Sequence, residues 1–165
     1  MKIEEKVISY FKENGLWLAS AESCTGGLIS KRITDISGSS AIFGYGLCTY
    51  ANSAKVKLLG VCEETLKQYG AVSKKTAQEM AKGLLALSEA DVAICTTGMA
   101  SPGGETTDKP VGMVFVGIAS KLGVKTFELS LGHLISRDKI RNASADFALQ
   151  KALEEAMEIV RCRNS

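Results

Sequence analysis

The chain has 165 residues, of which 45% are hydrophobic and 23% charged, the profile of an ordinary globular protein large enough to build its own core. Its net charge of +2 at pH 7 comes from scattered residues, which argues against nucleic acid or an acidic membrane surface as a partner. Five cysteines without a CxxC pair and a single histidine argue against a disulfide framework and leave too few ligands for a zinc or iron site.

In chain order, Ile3, Val7 and Phe11 recur at helical spacing and Gly15 can stop that helix. The charged start, Met1 to Lys6, lacks a signal-peptide core. No apolar run approaches the ~20 residues that span a bilayer, so a soluble cytoplasmic protein is expected. Leu16 to Ser20 reads as a short buried strand, and residues 21–27, AESCTGG, as a turn into a second helix through Leu28, Ile29 and Ile33. A Gly-Ser-Ser turn at 38–40 precedes a strand over 41–50 that closes at Tyr50. Asn52 is expected to cap a short helix ending at Gly60. Ser73 caps a longer one whose buried stripe is Ala77, Met80, Ala81, Leu84 and Leu87. A strand over 91–97 leads into a Gly- and Pro-rich loop from Gly98 to Pro110. Residues 111–119 form the next strand, and the short turn at Lys121–Gly123 sets another antiparallel to it. The last helix starts near Ser136 and carries Leu149, Leu153, Ala156 and Val160 on one face. Helices alternate with strands early and a hairpin comes late. The expected fold is therefore one domain over residues 1–165, a three-layer α/β/α sandwich around a mixed, mostly parallel sheet of about five strands.

The chemistry-bearing candidates lie on turns and strand ends. Ser23 stands on a strand-to-helix turn ahead of Thr25, Gly26 and Gly27. Unpaired N–H groups at a helix start attract an oxyanion or a phosphate, and glycines let a ligand approach the backbone. Equally, Ser23 and Thr25 can be plain N-caps. A serine nucleophile needs a base. His133 sits beside apolar residues and reads as structural. Lys55 is the alternative: with Asn52 as cap it is the third helical residue, where the helix dipole disfavours its charge. Its bland reading is a solvated lysine like Lys57. Tyr50 can relay a proton or hold the lysine, or it can be a packing residue. Cys24 is a rival nucleophile, because a helix N-terminus favours its thiolate. Neighbours in an extended turn point opposite ways, so only one of Ser23 and Cys24 is expected to face the pocket. The Gly98 loop follows a buried strand, at the strand end where ligands collect in α/β sheets. Arg137 and Arg141, one helical turn apart, suit a phosphate or plain solvent exposure.

AESCTGGLIS at 21–30, the turn at 38–40, TYANSAKVKLLGV at 49–61, GAVS at 70–73, the Gly98–Gly104 loop and KPVG at 109–112 recur in order and spacing along nearly the whole chain. Together they resemble the CinA C-terminal domain family, also called competence/damage-inducible protein, which includes nicotinamide mononucleotide deamidase. The resemblance implies hydrolysis of nicotinamide mononucleotide to nicotinate mononucleotide and ammonia. It implies a metal-free site without a cofactor, built from a serine, a tyrosine and a lysine that map onto Ser23, Tyr50 and Lys55. Thr25, Gly26, Gly27, Ser39, Asn52, Thr97, Gly98, Gly103 and Arg137 are expected around the substrate, with N–H groups near Gly26 and Gly27 stabilising the oxyanion. The partner expected is a small nucleotide, with neither nucleic acid nor membrane; a homo-oligomer is left open. Two places depart from the family pattern. Met99 and Ser101 replace an isoleucine and a glycine of its loop, and Ile135-Ser136 replaces Gly-Asp ahead of Arg137. The rival readings are an amidohydrolase of another small amide and a nucleotide-binding module without turnover.

Overall fold

A computed structural model describes residues 1–134 and 136–165; the Ile135 departure lies outside the described residues. Helix α1 (Ile3–Glu13) leads into strand β1 (Leu18–Glu22), helix α2 (Leu28–Thr34), a 3₁₀ turn (Ser39–Ala41) and strand β2 (Phe43–Cys48). Helices α3 (Asn52–Leu59), α4 (Glu63–Tyr69) and α5 (Lys74–Ser88) follow, then strands β3 (Val92–Gly98), β4 (Met113–Ser120) and β5 (Gly123–Ser130), and helix α6 (Arg137–Arg163). Among these helices none is long and apolar enough to cross a membrane.

The five strands form one sheet in the order β2-β1-β3-β4-β5. β1 pairs in parallel with β2 and β3, while β4 is antiparallel to both its neighbours. Four strands therefore point the same way, and the sheet is mixed as the element pattern predicts. Two apolar cores cover its faces. One gathers Phe11, Ile29, Ile94, Ile118 and Leu149 beneath α1, α2 and α6. The other gathers Leu59, Met80, Leu84, Ala93 and Phe115 beneath α3, α4 and α5. The central strands β1, β3 and β4 are buried almost throughout, which explains their continuous apolar runs.

Three details differ from the sequence reading. β1 lies two residues further on than Leu16–Ser20, because its register is set by Leu18 opposite Val92 of β3. Leu16 is buried but belongs to the connection. The consequence is that Ser23 directly follows the strand end. Helix α4 is absent from the reading: of its seven residues only Thr65 is buried, so no apolar stripe marks it. Leu87, placed on the buried stripe of α5, is 43% exposed. That stripe ends at Leu84, one turn earlier.

Candidate active site

The site grows from a buried carboxylate. Glu22 ends β1 with no exposed surface, and a charge so placed must find donors. It finds them in the turn that follows. The N–H groups of Gly27, Ile29 and Ser30 donate to it at 3.1, 2.9 and 2.9 Å. The hydroxyls of Thr25 and Ser30 donate at 2.7 and 2.8 Å. Thr96 Oγ1 of β3 completes the cluster, 2.7 Å from Thr25 Oγ1. For the chain to double back over its own strand end, Gly26 and Gly27 take φ of +57° and +93°, conformations that a side chain would strain. Ser23 is held at the head of this turn: its N–H donates to Thr96 O at 2.9 Å and its carbonyl accepts from Gly26 N at 3.1 Å. Helix α6 secures the other side, where Arg141 Nη2 donates to Thr25 O at 2.7 Å.

This arrangement overturns one expectation. The N–H groups of Gly26 and Gly27 do not await an oxyanion, since the first serves Ser23 O and the second Glu22. Glu22 has taken the positive end of α2 for itself. Among the described residues, the N–H groups of Cys24 and Thr25 are the two in this turn without a hydrogen-bond partner.

Lys55 arrives from helix α3, which follows β2 and packs on α5. Helix α3 begins at Asn52 with Ala51, not Asn52, as its N-cap. Ala51 already has extended dihedrals and its carbonyl accepts the first helical bonds. Lys55 is therefore the fourth helical residue rather than the third. The helix lies hard against α5, where a Cβ added at Gly83 would meet Leu59 O at 1.7 Å. Lys55 is fully buried, with 0% exposure. Its Nζ donates to Thr49 O at 2.8 Å and Tyr50 O at 3.1 Å, and lies 3.1 Å from Ser23 Oγ. Among the described residues no carboxylate pairs with it. Burial lowers its pKa from the ordinary lysine value. A neutral amine has two hydrogens and one lone pair. With the hydrogens on the two carbonyls, the lone pair is left for the Ser23 hydroxyl.

Tyr50 joins the cluster in a different way from that read in the sequence. Its main-chain carbonyl, not its phenol, holds Lys55. Tyr50 is 60% exposed, and its phenol accepts from Arg137 Nη2 at 3.1 Å. Arg137 in turn donates through Nη1 to Ser101 Oγ at 2.7 Å. The two arginines thus divide: Arg141 braces the Ser23 turn and Arg137 stands at the rim.

The remaining candidates spread out. Thr25 is buried with its hydroxyl committed to Glu22, so it braces the turn. Thr97 is the next-to-last residue of β3, but its hydroxyl donates to Ala71 O at 2.7 Å. Gly98 is required by β4, since a Cβ there would lie 2.7 Å from Val114 Cγ2. Gly103 has φ +121° and donates its N–H to Glu105 within its own loop. The main-chain N–H groups around Glu105 hold that carboxyl below its ordinary pKa. Asn52 is exposed on α3. Ser39 is not gathered with the others. It precedes β2, whose first residue pairs with Leu18 at the start of β1, and Ser23 follows the opposite end of that strand.

Cys24 faces the core rather than the site. It is buried among apolar residues, and burial pushes its thiol up to about 11. The expectation that a helix start favours its thiolate is not met: α2 begins only at Leu28, and burial is the largest influence on Cys24. His133 is exposed in the turn after β5. Sequence reasoning missed Glu22 and Thr96. The available signal was an acidic residue at the end of an apolar strand, LASAE, which demands donors close by.

A half-buried serine on a strand-to-helix turn, beside the amine of a fully buried lysine, is an arrangement in which a nucleophile and a base can work together. Comparison with known proteins agrees with the fold and narrows the family. The model of the CinA C-terminal domain family matches residues 1–156. The nicotinamide-nucleotide amidohydrolase PncC of Enterobacter agglomerans is 51% identical over 145 residues, covering 87% of this chain and 87% of that protein. A CinA-like protein of Chloroherpeton thalassium is 50% identical over 150 residues, 87% of this chain but 36% of that protein. The crystal structure of the competence/damage inducible protein CihA from Agrobacterium tumefaciens superposes with a TM-score of 0.88 at 44% identity, covering 93% of this chain and 94% of that one. The chain belongs to the CinA C-terminal domain family. It spans about a third of the length of several curated relatives.

Proposed function

We propose that the chain is an amidohydrolase that releases the carboxamide nitrogen of nicotinamide mononucleotide as ammonia, with Ser23 as nucleophile and Lys55 as its base. The observation that carries this reading is the buried Lys55 amine 3.1 Å from Ser23 Oγ, with two carbonyls fixing its other hydrogens. The substrate comes from the 51% identical relative named nicotinamide-nucleotide amidohydrolase.

In the first half-reaction, neutral Lys55 takes the Ser23 proton as Oγ attacks the amide carbon. The resulting oxyanion is met by donors already in place, for which the N–H groups of Cys24 and Thr25 remain. Collapse of the tetrahedral species breaks the C–N bond. The ammonium of Lys55 returns its proton to the departing nitrogen, leaving ammonia, an ester on Ser23 and a neutral lysine. In the second half-reaction Lys55 takes a proton from water, hydroxide attacks the ester, and the proton goes back to Ser23. Acid and ammonia leave, and one water is consumed. Tyr50 contributes its carbonyl to orient the amine, and its phenol, through Arg137, belongs to the rim where the phosphate end of the nucleotide is bound.

The test is ammonia release by the purified chain from nicotinamide mononucleotide, beside a panel of other amide-bearing small molecules. Release from the nucleotide supports the reading. Release only from another amide would move the substrate and keep the chemistry. Thermal stabilisation by the nucleotide without any ammonia would replace the enzyme with a binding module.

A further inference from the structure

Ser101 stands where the family pattern has glycine, and its hydroxyl is one end of a polar bridge. Arg137 donates through Nη1 to Ser101 Oγ at 2.7 Å and through Nη2 to Tyr50 Oη at 3.1 Å. Tyr50 follows β2, Ser101 follows β3, and Ser23 follows β1, which lies between those two strands. Neighbouring strands are about 4.8 Å apart, so the bridge links the two segments that flank the one carrying Ser23.

The folded state does not need this bridge. Its members are at the surface, where contacts made by a charged side chain add little stability. Nor does position 101 need glycine. Among the described residues only Glu89 has a positive φ without being glycine, so Ser101 adds a side chain without backbone strain. What it adds is a donor. Arginine has no acceptor, so Ser101 Oγ receives from Arg137 and keeps its own proton. Among the described residues that proton has no partner. The guanidinium still has three N–H groups beyond the two in the bridge. A fixed cation beside a free hydroxyl donor suits a group with several negative oxygens.

We propose that Ser101 is a specificity-determining residue: it locks Arg137 over the mouth of the site and, with it, binds the phosphate monoester of the substrate, so that the chain selects the nucleotide over the uncharged nucleoside bearing the same amide. This rests on the amidohydrolase reading above.

The experiment compares the intact chain with Ser101→Ala, Ser101→Gly and Ser101→Thr. KM and kcat are measured for nicotinamide mononucleotide and for its nucleoside, and the rise of Tm with inorganic phosphate is measured for each protein. Loss of one hydrogen bond to a charged group should raise KM for the nucleotide about tenfold in the alanine and glycine variants. The kcat for the nucleotide and both constants for the nucleoside should change less than about twofold. Ser101→Thr, which keeps the hydroxyl, should restore most of the loss, and phosphate should stabilise the alanine variant less than the intact chain. Equal changes for nucleotide and nucleoside would overturn the proposal, as would equal stabilisation by phosphate with and without the hydroxyl. If the intact chain hydrolyses neither compound, the amidohydrolase reading fails, and the phosphate titration alone decides on Ser101.

Discussion

Lys55 of α3 reaches Ser23 at the end of β1, with its Nζ 3.1 Å from Oγ and its other hydrogens directed at the carbonyls of Thr49 and Tyr50. The geometry suits both protonation states. As an ammonium the lysine donates three times; as an amine it donates twice and turns its lone pair to the serine. Proton transfer between the two side chains therefore needs no rearrangement of the main chain.

The activity should follow the protonation of Lys55. Burial lowers its pKa below 10.5, so kcat/KM should rise with pH and level off with a midpoint below that value. Lys55→Arg keeps a charge that does not dissociate and should lower kcat at least about 100-fold. A pH–rate profile of the intact chain, beside the arginine variant, checks both.

The same shift links to stability. At pH below the lowered pKa, folded and unfolded chains both carry the proton and Lys55 adds no pH dependence. Between that pKa and 10.5 the unfolded chain binds a proton that the folded chain does not, so stability rises with pH. Above 10.5 the dependence ends. Denaturant midpoints of the intact chain relative to Lys55→Met should climb with pH across this window and be flat below it.

Glu22 is expected to be the most sensitive polar position under the nucleophile. Replacing it by glutamine puts an amide donor among three N–H groups and two hydroxyls that all donate toward it. Loss of about 2–4 kcal/mol is expected from the unpaired donors. Chemical denaturation of Glu22→Gln reads this directly, and a change below about 0.5 kcal/mol would mean the cluster is not as tight as its distances indicate.

Thiol chemistry separates Cys24 from Ser23. Cys24 and Cys95 are buried while Cys48, Cys62 and Cys162 are exposed. Burial pushes the two buried thiols up to about 11 and about 12. Alkylation of the native chain near pH 7.5, followed by peptide mass mapping, should label the three exposed cysteines and spare the other two. Rapid labelling of Cys24 would return it to contention as nucleophile.

How much of this was legible in the sequence varied with the kind of signal. Burial periodicity located α1, α2, α5 and β3, because each presents an apolar stripe or run to a core. Helix α4 escaped because its residues bury almost nothing. Local context singled out Ser23, Lys55 and Tyr50 and the motif resemblance grouped them, but spacing alone could not say that α3 would bring Lys55 within 3.1 Å of the serine. That juxtaposition depends on the parallel pairing of β1 with β2 and on the close approach at Gly83. Glu22 went unread because strand patterns describe which face a side chain takes, not whether a carboxylate will fold beneath the turn after it. Tyr50 was chosen for its phenol, while the contact with Lys55 is made by its carbonyl, which any residue supplies.

The kcat for ammonia release by Ser23→Ala tests the central relationship most directly. The hydroxyl is the only group removed, and the Glu22 cluster that shapes the turn is left in place. Turnover should fall by at least about 1,000-fold, the range seen when a nucleophile is removed, while the melting temperature stays within a few degrees. A variant that hydrolyses the amide at the rate of the intact chain would contradict a covalent role for Ser23 and leave the lysine beside it without a task.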